Sequence, residues 1–145
     1  MDFLPQEIED FVTRLTEKEP DTLAQLNHET WEKVLIPRML SGHFQGRVLS
    51  MLSHMIKPSA ILEIGTYTGY SAICFAEGLQ KNGIIHTIDI NEELEPIVNR
   101  YIEKSNLKDT IINHIGNALE LIPTLKEQFD IVFIDADKSN YSNYY

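Results

Sequence analysis

The length, composition and charge of the chain limit what it can be. Its 145 residues are 43% apolar and 23% charged, which is ordinary for one soluble globular domain with a buried core. Twenty-two acidic residues against 12 basic ones give a net charge of −10, which disfavours nonspecific binding to nucleic acid or anionic lipid and favours a small-molecule partner.

The single cysteine and the N-terminus bear on location. Cys74 has no partner for an internal disulfide, and it lies in an apolar helical pattern, so we expect a buried, unreactive thiol in a reducing compartment. No apolar run approaches the length of a membrane span, and residues 1–7 lack the features of a secretory signal. These observations predict a cytoplasmic protein that does not contact a membrane.

The first third of the chain has helical periodicity. Apolar residues recur at helical spacing over residues 5–18, and again from Asp21, a candidate N-cap, to about Leu35. Trp31 is interpreted as a packing or subunit contact rather than a substrate-stacking residue.

A proline and two glycines then predict a loop over residues 37–46, followed by a third helix that ends near Ile56. We assign residues 1–57 as N-terminal helices and residues 58–145 as the ligand-binding half of one domain, 1–145.

From residue 60 onward, the pattern alternates between strand and helix. The predicted strands are 60–64, 84–89, 111–115 and 130–135, and the predicted helices are 70–80, 92–105 and 118–126. Such alternation indicates right-handed βαβ crossovers and therefore an α/β fold with a Rossmann-like parallel sheet. If the strand order is 3-2-1-4, Glu63, Gly65 and Asp135 come together where ligands bind in open α/β sheets.

The stretch Glu63-Ile64-Gly65-Thr66-Tyr67-Thr68-Gly69-Tyr70-Ser71 is typical of a strand that opens into a ligand-binding loop and a helix. A dinucleotide fingerprint would need glycine where Tyr67 and Tyr70 stand, and a phosphate-binding P-loop would need Gly-Lys-Ser/Thr. The loop therefore suits a ligand without phosphates. Glu63 would repel a pyrophosphate and favour a cationic group, a description that S-adenosylmethionine (SAM) fits.

Asp89 ends the second predicted strand, 24 residues beyond Gly65. An acidic residue at about this spacing binds ribose hydroxyls in nucleotide-binding βαβ units. The alternative for Asp89 is a helix N-cap, although Asn91 could fill that role.

Three ionisable residues lie at the end of the fourth predicted strand and just after it, in Asp135-Ala136-Asp137-Lys138. Carboxylate oxygens suit Mg²⁺, Mn²⁺ or Ca²⁺, and a solvated strand end that caps the next helix is the alternative. Histidine ligands are not favoured, because the five histidines are scattered without ligand spacing.

Together these motifs resemble the cation-dependent O-methyltransferase family that includes the catechol and caffeoyl-coenzyme A enzymes. The resemblance implies SAM-dependent methyl transfer to a hydroxyl of a small catechol-like or phenolic substrate, assisted by a divalent cation. It implies Asp135 as metal ligand, Asp137 as a neighbouring contact, and Lys138 with Asp135 as catalytic residues. The implied cofactor-binding residues are Met39, Ser41, Glu63, Gly65, Tyr67, Ser71, Asp89, Ile90, Gly116, Ala118 and Asp135.

The sequence also leaves alternative functions open. One is a methyltransferase of a hydroxylated tRNA base, which would need a basic patch; another is a noncatalytic cofactor-binding or dimerisation module. A nicotinamide dehydrogenase is less favoured, because the loop glycines do not match. By comparison with the resembling family, we expect a chain truncated at its C-terminus, with later strands missing, and a homodimer as one partner arrangement.

Overall fold

A four-stranded parallel sheet forms the centre of the computed structural model, which describes residues 5–144. Its strands are β1 (Ala60–Ile64), β2 (Ile84–Asp89), β3 (Ile111–Ile115) and β4 (Ile131–Ile134), in the order β3-β2-β1-β4. All three pairings are parallel. The predicted α/β fold and the predicted strand order are therefore confirmed.

Seven α-helices accompany the sheet in the described part of the chain. They are α1 (Gln6–Leu15), α2 (Asp21–Lys33), α3 (Gly42–Ile56), α4 (Tyr70–Ala76), α5 (Glu95–Lys104), α6 (Ala118–Leu121) and α7 (Tyr141–Tyr144). Short 3₁₀ helices span Pro37–Met39, Glu92–Leu94, Ile122–Thr124 and Lys138–Asn140.

The core lies on both faces of the sheet, because successive side chains of a strand point to opposite faces. Ile61 and its neighbours on one face pack against α2, α3, α4 and α5. Leu62 and Ile64 on the other face pack against Ala118 and the apolar residues that follow it. The strands are thus held from both sides, while their carboxyl ends remain open at one edge.

The loop predicted over residues 37–46 is wrong at its C-terminal end, because α3 already begins at Gly42. Gly46 lies inside the helix, where a Cβ would come within 2.7 Å of both Cys74 Sγ and the Tyr70 ring. The glycine therefore permits close packing of α3 on α4 rather than breaking the helix.

Other helix boundaries also differ from the predictions. Helix α4 ends at Ala76 instead of residue 80, and a Cβ on nearby Gly78 would lie 2.3 Å from the backbone of α3. Asp21 is the first residue of α2 and not, as predicted, its N-cap. The N-cap position of this helix is occupied by Pro20, and no side-chain cap is made there. Trp31 is 60% exposed, so its predicted packing role is wrong within the described structure; a subunit contact stays a prediction.

Candidate functional site

A cleft of about 1110 Å³ opens at the carboxyl ends of the strands. It lies between the β1–α4 loop, the residues that follow β2, β3 and β4, and the segment that joins α2 to α3. This is where ligands bind in open α/β sheets. The predicted site residues that line it are Met39, Ser41, Gly65, Tyr67, Ser71, Asp89, Ile90, Gly116, Ala118, Asp135 and Lys138. The fold brings these residues together, and their binding roles stay predictions.

Gly65 is required where β1 meets the loop. Its φ is +109°, and a Cβ would lie 2.4 Å from the Asp135 carbonyl oxygen. The amide of Asp135 in turn donates to the Ile64 carbonyl oxygen over 2.9 Å. The glycine therefore lets the chain after β4 approach the start of the loop, which places Asp135 beside it.

Asp89 fixes the loop through its carboxylate. Oδ2 accepts a 2.7 Å hydrogen bond from the Tyr67 amide, and Oδ1 accepts a 3.0 Å bond from the Asn91 amide. Asn91 is the residue whose side chain caps the next turn, by accepting from the Glu93 amide. The alternative N-cap role thus falls to Asn91, and each Asp89 oxygen keeps a lone pair for a ligand.

Glu63 is the one predicted site residue that does not line the cleft, because its side chain is fully buried beneath the loop. Oε2 accepts a 2.5 Å hydrogen bond from the Thr87 hydroxyl, which itself lies 2.6 Å from the Thr66 hydroxyl. Since the Thr87 proton points to Glu63, Thr66 is the donor in the second bond. The other carboxylate oxygen, Oε1, has no partner within the described structure.

Burial raises the pKa of Glu63 to about 7. The Thr87 hydroxyl and the nearby Ser71 hydroxyl, which makes no hydrogen bond to Glu63 within the described structure, oppose this shift, and the charges of Asp135 and Asp89 add to it. Neither Thr66 nor Thr87 was among the site residues predicted from the sequence. Thr87 pairs with Glu63 in the β1–β2 register, so a polar residue at the same level of two apolar strands was the signal that could have identified it.

The two carboxylates after β4 have different surroundings. Partial burial raises the pKa of Asp135, while the charge of Lys138 lowers it. Asp137 instead accepts hydrogen bonds from Tyr144, Ser139 and Asn140, at 2.8, 2.9 and 2.5 Å, and these bonds lower its pKa. Asp137 therefore holds the turn and helix that follow it through their side chains, and it makes no side-chain cap to a helix amide, so the alternative interpretation of a strand end that caps the next helix is not confirmed.

The described residues do not complete a metal site. Residues 5–144 contain no group of three histidine, cysteine or acidic side chains that could hold an ion. Mg²⁺, Mn²⁺ and Ca²⁺ prefer six or more oxygen ligands, whereas Asp135 supplies one carboxylate and the oxygens of Asp137 are engaged locally.

The remaining predicted contacts form the rim of the cleft. Met39 and Ile90 expose 59% and 77% of their surface, so they offer apolar area to a ligand. Ala118 begins α6, whose N-cap Asn117 accepts from the Leu119 amide over 3.0 Å. The first amide of a helix has no acceptor within the helix, so the Ala118 N–H is a donor suited to a ligand.

Two histidines that are far apart in the sequence, His86 and His114, are in contact outside this cleft. His86 Nδ1 lies 2.8 Å from His114 Nε2, and the two rings are stacked. The linear spacing concealed this contact because the residues occupy neighbouring strands.

None of the helices formed by residues 5–144 has the length and apolar character needed to cross a membrane.

Comparison with known proteins identifies relatives over nearly the whole chain. Residues 13–145 match the family model described as O-methyltransferase. The chain is 29% identical over 144 residues to catechol O-methyltransferase from Niastella koreensis, covering 97% of this chain and 65% of that protein. It is 35% identical over 139 residues to caffeoyl-CoA O-methyltransferase 2 from Eucalyptus globulus, covering 92% and 56%.

Solved structures show the same fold. The O-methyltransferase TomG from Streptomyces achromogenes, in complex with SAM, has a TM-score of 0.87 and 27% identity, covering 95% of this chain and 63% of that one. The O-methyltransferase from Bacillus cereus, in complex with SAH, has a TM-score of 0.87 and 32% identity, covering 95% and 64%. The chain thus spans less than two thirds of the length of these relatives.

Proposed function

Because the chain belongs to the O-methyltransferase family, we propose that it binds SAM in the cleft at the strand ends and transfers the methyl group to a hydroxyl. The observation that carries the proposal is the position of Asp89, whose carboxylate ends β2, lines the cleft and holds the β1–α4 loop. The crystallised relatives that bind SAM or SAH, its demethylated product, support this choice of cofactor.

The charges around the cleft suit this cofactor. When bound, SAM would supply an electrophilic methyl group on a positively charged sulfonium. Glu63 lies beneath the loop with one unpartnered oxygen, and Asp89 and Asp135 line the cleft, so the site favours a cation. Asp89 would accept hydrogen bonds from ribose hydroxyls, and Ala118 would donate its amide to the base.

The proposed methyl acceptor is a hydroxyl of a small catechol-like or phenolic compound. The names of the curated relatives support this substrate class. Lys138 lines the same cleft and, once its ammonium has lost a proton, the neutral amine would accept the hydroxyl proton at Nζ, while Asp135 beside it would orient the acceptor. The position of both residues in the lining of the cleft supports these roles.

The same proposal includes a divalent cation, to which Asp135 would contribute one carboxylate of the six or more oxygen ligands that such an ion prefers. Loss of methyl transfer in excess chelator would support the cation.

A homodimer is also proposed, supported by the apolar side chains that α1 exposes, Ile8, Phe11 and Leu15. The cytoplasmic location stays a prediction from the sequence.

Titration calorimetry tests the cofactor assignment directly. We expect the chain to bind SAM and SAH, and to bind NAD far more weakly, because the loop lacks the glycines that a pyrophosphate requires. Tighter binding of NAD than of either methionine derivative would overturn the assignment. Transfer of a labelled methyl group to a panel of catechols and monophenols would then test the acceptor class.

A further inference from the structure

One wall of the cleft is formed by residues 34–41, here called the wall segment, which connects α2 to α3. Several of its apolar side chains face solvent: Leu35, Ile36 and Met39 expose 85%, 54% and 59% of their surface. Leu40 alone of these apolar residues packs against the core cluster. The wall segment therefore has little apolar packing to hold it beside the cleft.

A side chain from the opposite wall reaches this segment. The Tyr67 hydroxyl shares its one proton between the carbonyl oxygens of Leu35 and Ile36, at 3.1 and 3.3 Å. Among residues 5–144, these are the hydrogen bonds that connect the wall segment to the β1–α4 loop. The Tyr67 phenol is a donor at neutral pH, since its ordinary pKa of 10 lies well above 7 and burial raises it further.

The backbone around this contact is unusual on both sides. Tyr67 has φ +49° and Ile36 has φ +57°, the left-handed region that side chains other than glycine rarely adopt. For the β-branched Ile36, such a conformation persists only when surrounding contacts impose it. The bonds to the Tyr67 hydroxyl supply a contact of this kind at Ile36.

Tyr67 is itself held in place from below. Its amide donates to Asp89 Oδ2 over 2.7 Å, so the residue that reaches the wall segment is anchored to the end of β2. One residue thus joins the carboxylate assigned to ribose binding to the opposite wall of the same cleft. Separating the wall segment from the loop would widen the cleft between them.

We propose that Tyr67 is a positioning residue whose hydroxyl ties the wall segment to the β1–α4 loop, and that this tether slows the departure of bound cofactor. The proposal rests on the proposed function, since it takes SAM or SAH as the ligand. Its specific content is that the phenolic oxygen acts through the wall segment, whereas the ring and the amide of Tyr67 can stay as they are.

The test compares two single-atom deletions. Tyr67→Phe removes the tether and keeps the ring and the amide bond to Asp89. Tyr101→Phe is the matched control, because it removes a 2.8 Å phenol bond to Glu29 that joins α5 to α2. Surface plasmon resonance on the immobilised chain would measure SAH dissociation. We expect dissociation to become about 3- to 10-fold faster in Tyr67→Phe, the range for one lost hydrogen bond, and to stay unchanged in Tyr101→Phe.

Amide hydrogen exchange of the ligand-free chain gives a second readout. The amides of Met39 and Leu40 donate within the wall segment, to Ile36 and Pro37 oxygens at 3.0 Å. We expect both amides to exchange faster in Tyr67→Phe but not in the control variant, which a general loss of stability would not produce.

Each contrary result has its own meaning. Unchanged SAH dissociation in Tyr67→Phe would overturn the proposal, and so would an equal acceleration in both variants. If the wild-type chain bound neither SAM nor SAH, the proposed function would fail and the effect on cofactor departure with it. Unchanged exchange at Met39 and Leu40 would overturn the tether whatever the ligand.

Discussion

Thr87 donates a 2.5 Å hydrogen bond to Glu63 across the β1–β2 pairing, and this bond satisfies one oxygen of a carboxylate that no solvent reaches. The second oxygen has no partner in the described structure. A buried carboxylate with half of its hydrogen bonds unmade is destabilising unless it is protonated or meets a cation. Glu63 therefore links the stability of the fold to the charge of whatever occupies the cleft.

We predict that Glu63→Gln raises the free energy of unfolding at pH 8. The folded pKa of Glu63, about 7, lies above its ordinary value of 4.5. The folded chain thus holds its proton more tightly, and stability is lost as pH rises from 4.5 to 7. A shift of this size corresponds to about 3 kcal/mol. Urea unfolding at pH 5 and pH 8 would show a gain for the variant at pH 8 only; a loss there would contradict the prediction.

We predict that Asp89→Ala weakens SAH binding by about 1–3 kcal/mol, because ligand hydroxyls lose a charged acceptor and the Tyr67 amide loses its partner. Titration calorimetry measures the effect. Asp109→Ala removes an exposed carboxylate that does not line the cleft, and it serves as the control. Equal affinities for wild type and Asp89→Ala would remove Asp89 from the binding site.

We predict that Lys138→Ala abolishes most methyl transfer and changes SAH affinity less than about twofold, since a proton acceptor acts on the reacting hydroxyl and not on the cofactor. The comparison is made in a form of the protein that shows methyl transfer, by labelled-methyl assay and calorimetry on the same sample. Lys126→Ala, which changes a lysine outside the cleft lining, should leave both quantities unchanged. Full transfer by Lys138→Ala would assign proton removal to another group.

We predict a pH effect of the opposite sign from His86 and His114. Burial lowers the pKa of both rings below 6.5 in the folded chain, and Glu127, the nearby acidic group, opposes the shift. The unfolded chain then binds more protons, so stability is lost as pH falls below about 6.5. His114→Gln, which can still bond to the His86 ring, should flatten this acid limb in unfolding experiments between pH 7.5 and 5.5. An unchanged slope would show that the pair does not contribute.

The local pattern of the sequence predicted what depends on near neighbours. Strands β1 and β2 begin and end at the predicted residues, because each is an apolar run bounded by turn residues. Gly46 was misjudged because its role depends on Cys74 and Tyr70, which lie in another helix. The bond from the Tyr67 hydroxyl to the wall segment could likewise not be predicted from local sequence, since its acceptors are carbonyl oxygens more than 30 residues earlier in the chain.

Cys74 shows how a correct expectation can have an incomplete basis. The apolar helical pattern around Cys74 predicted a buried, unreactive thiol, yet the fold places Arg47 Nη2 3.7 Å from its sulfur. Burial nevertheless raises the pKa of this thiol to about 12, because desolvation outweighs the favourable charge. Local sequence could not weigh these two effects, since both arise from the packing of α3 on α4.

The bond from the Tyr67 amide to Asp89 has a thermodynamic consequence for ligand binding. The bond joins two residues of the fold and so orders the loop during folding, which means that the conformational entropy of the loop is not lost again when a ligand binds. The heat-capacity change on binding should then reflect the apolar surface that the ligand covers, with little added by ordering of the protein. Ligand binding at this strand end should therefore resemble the filling of a preformed site more than coupled folding and binding.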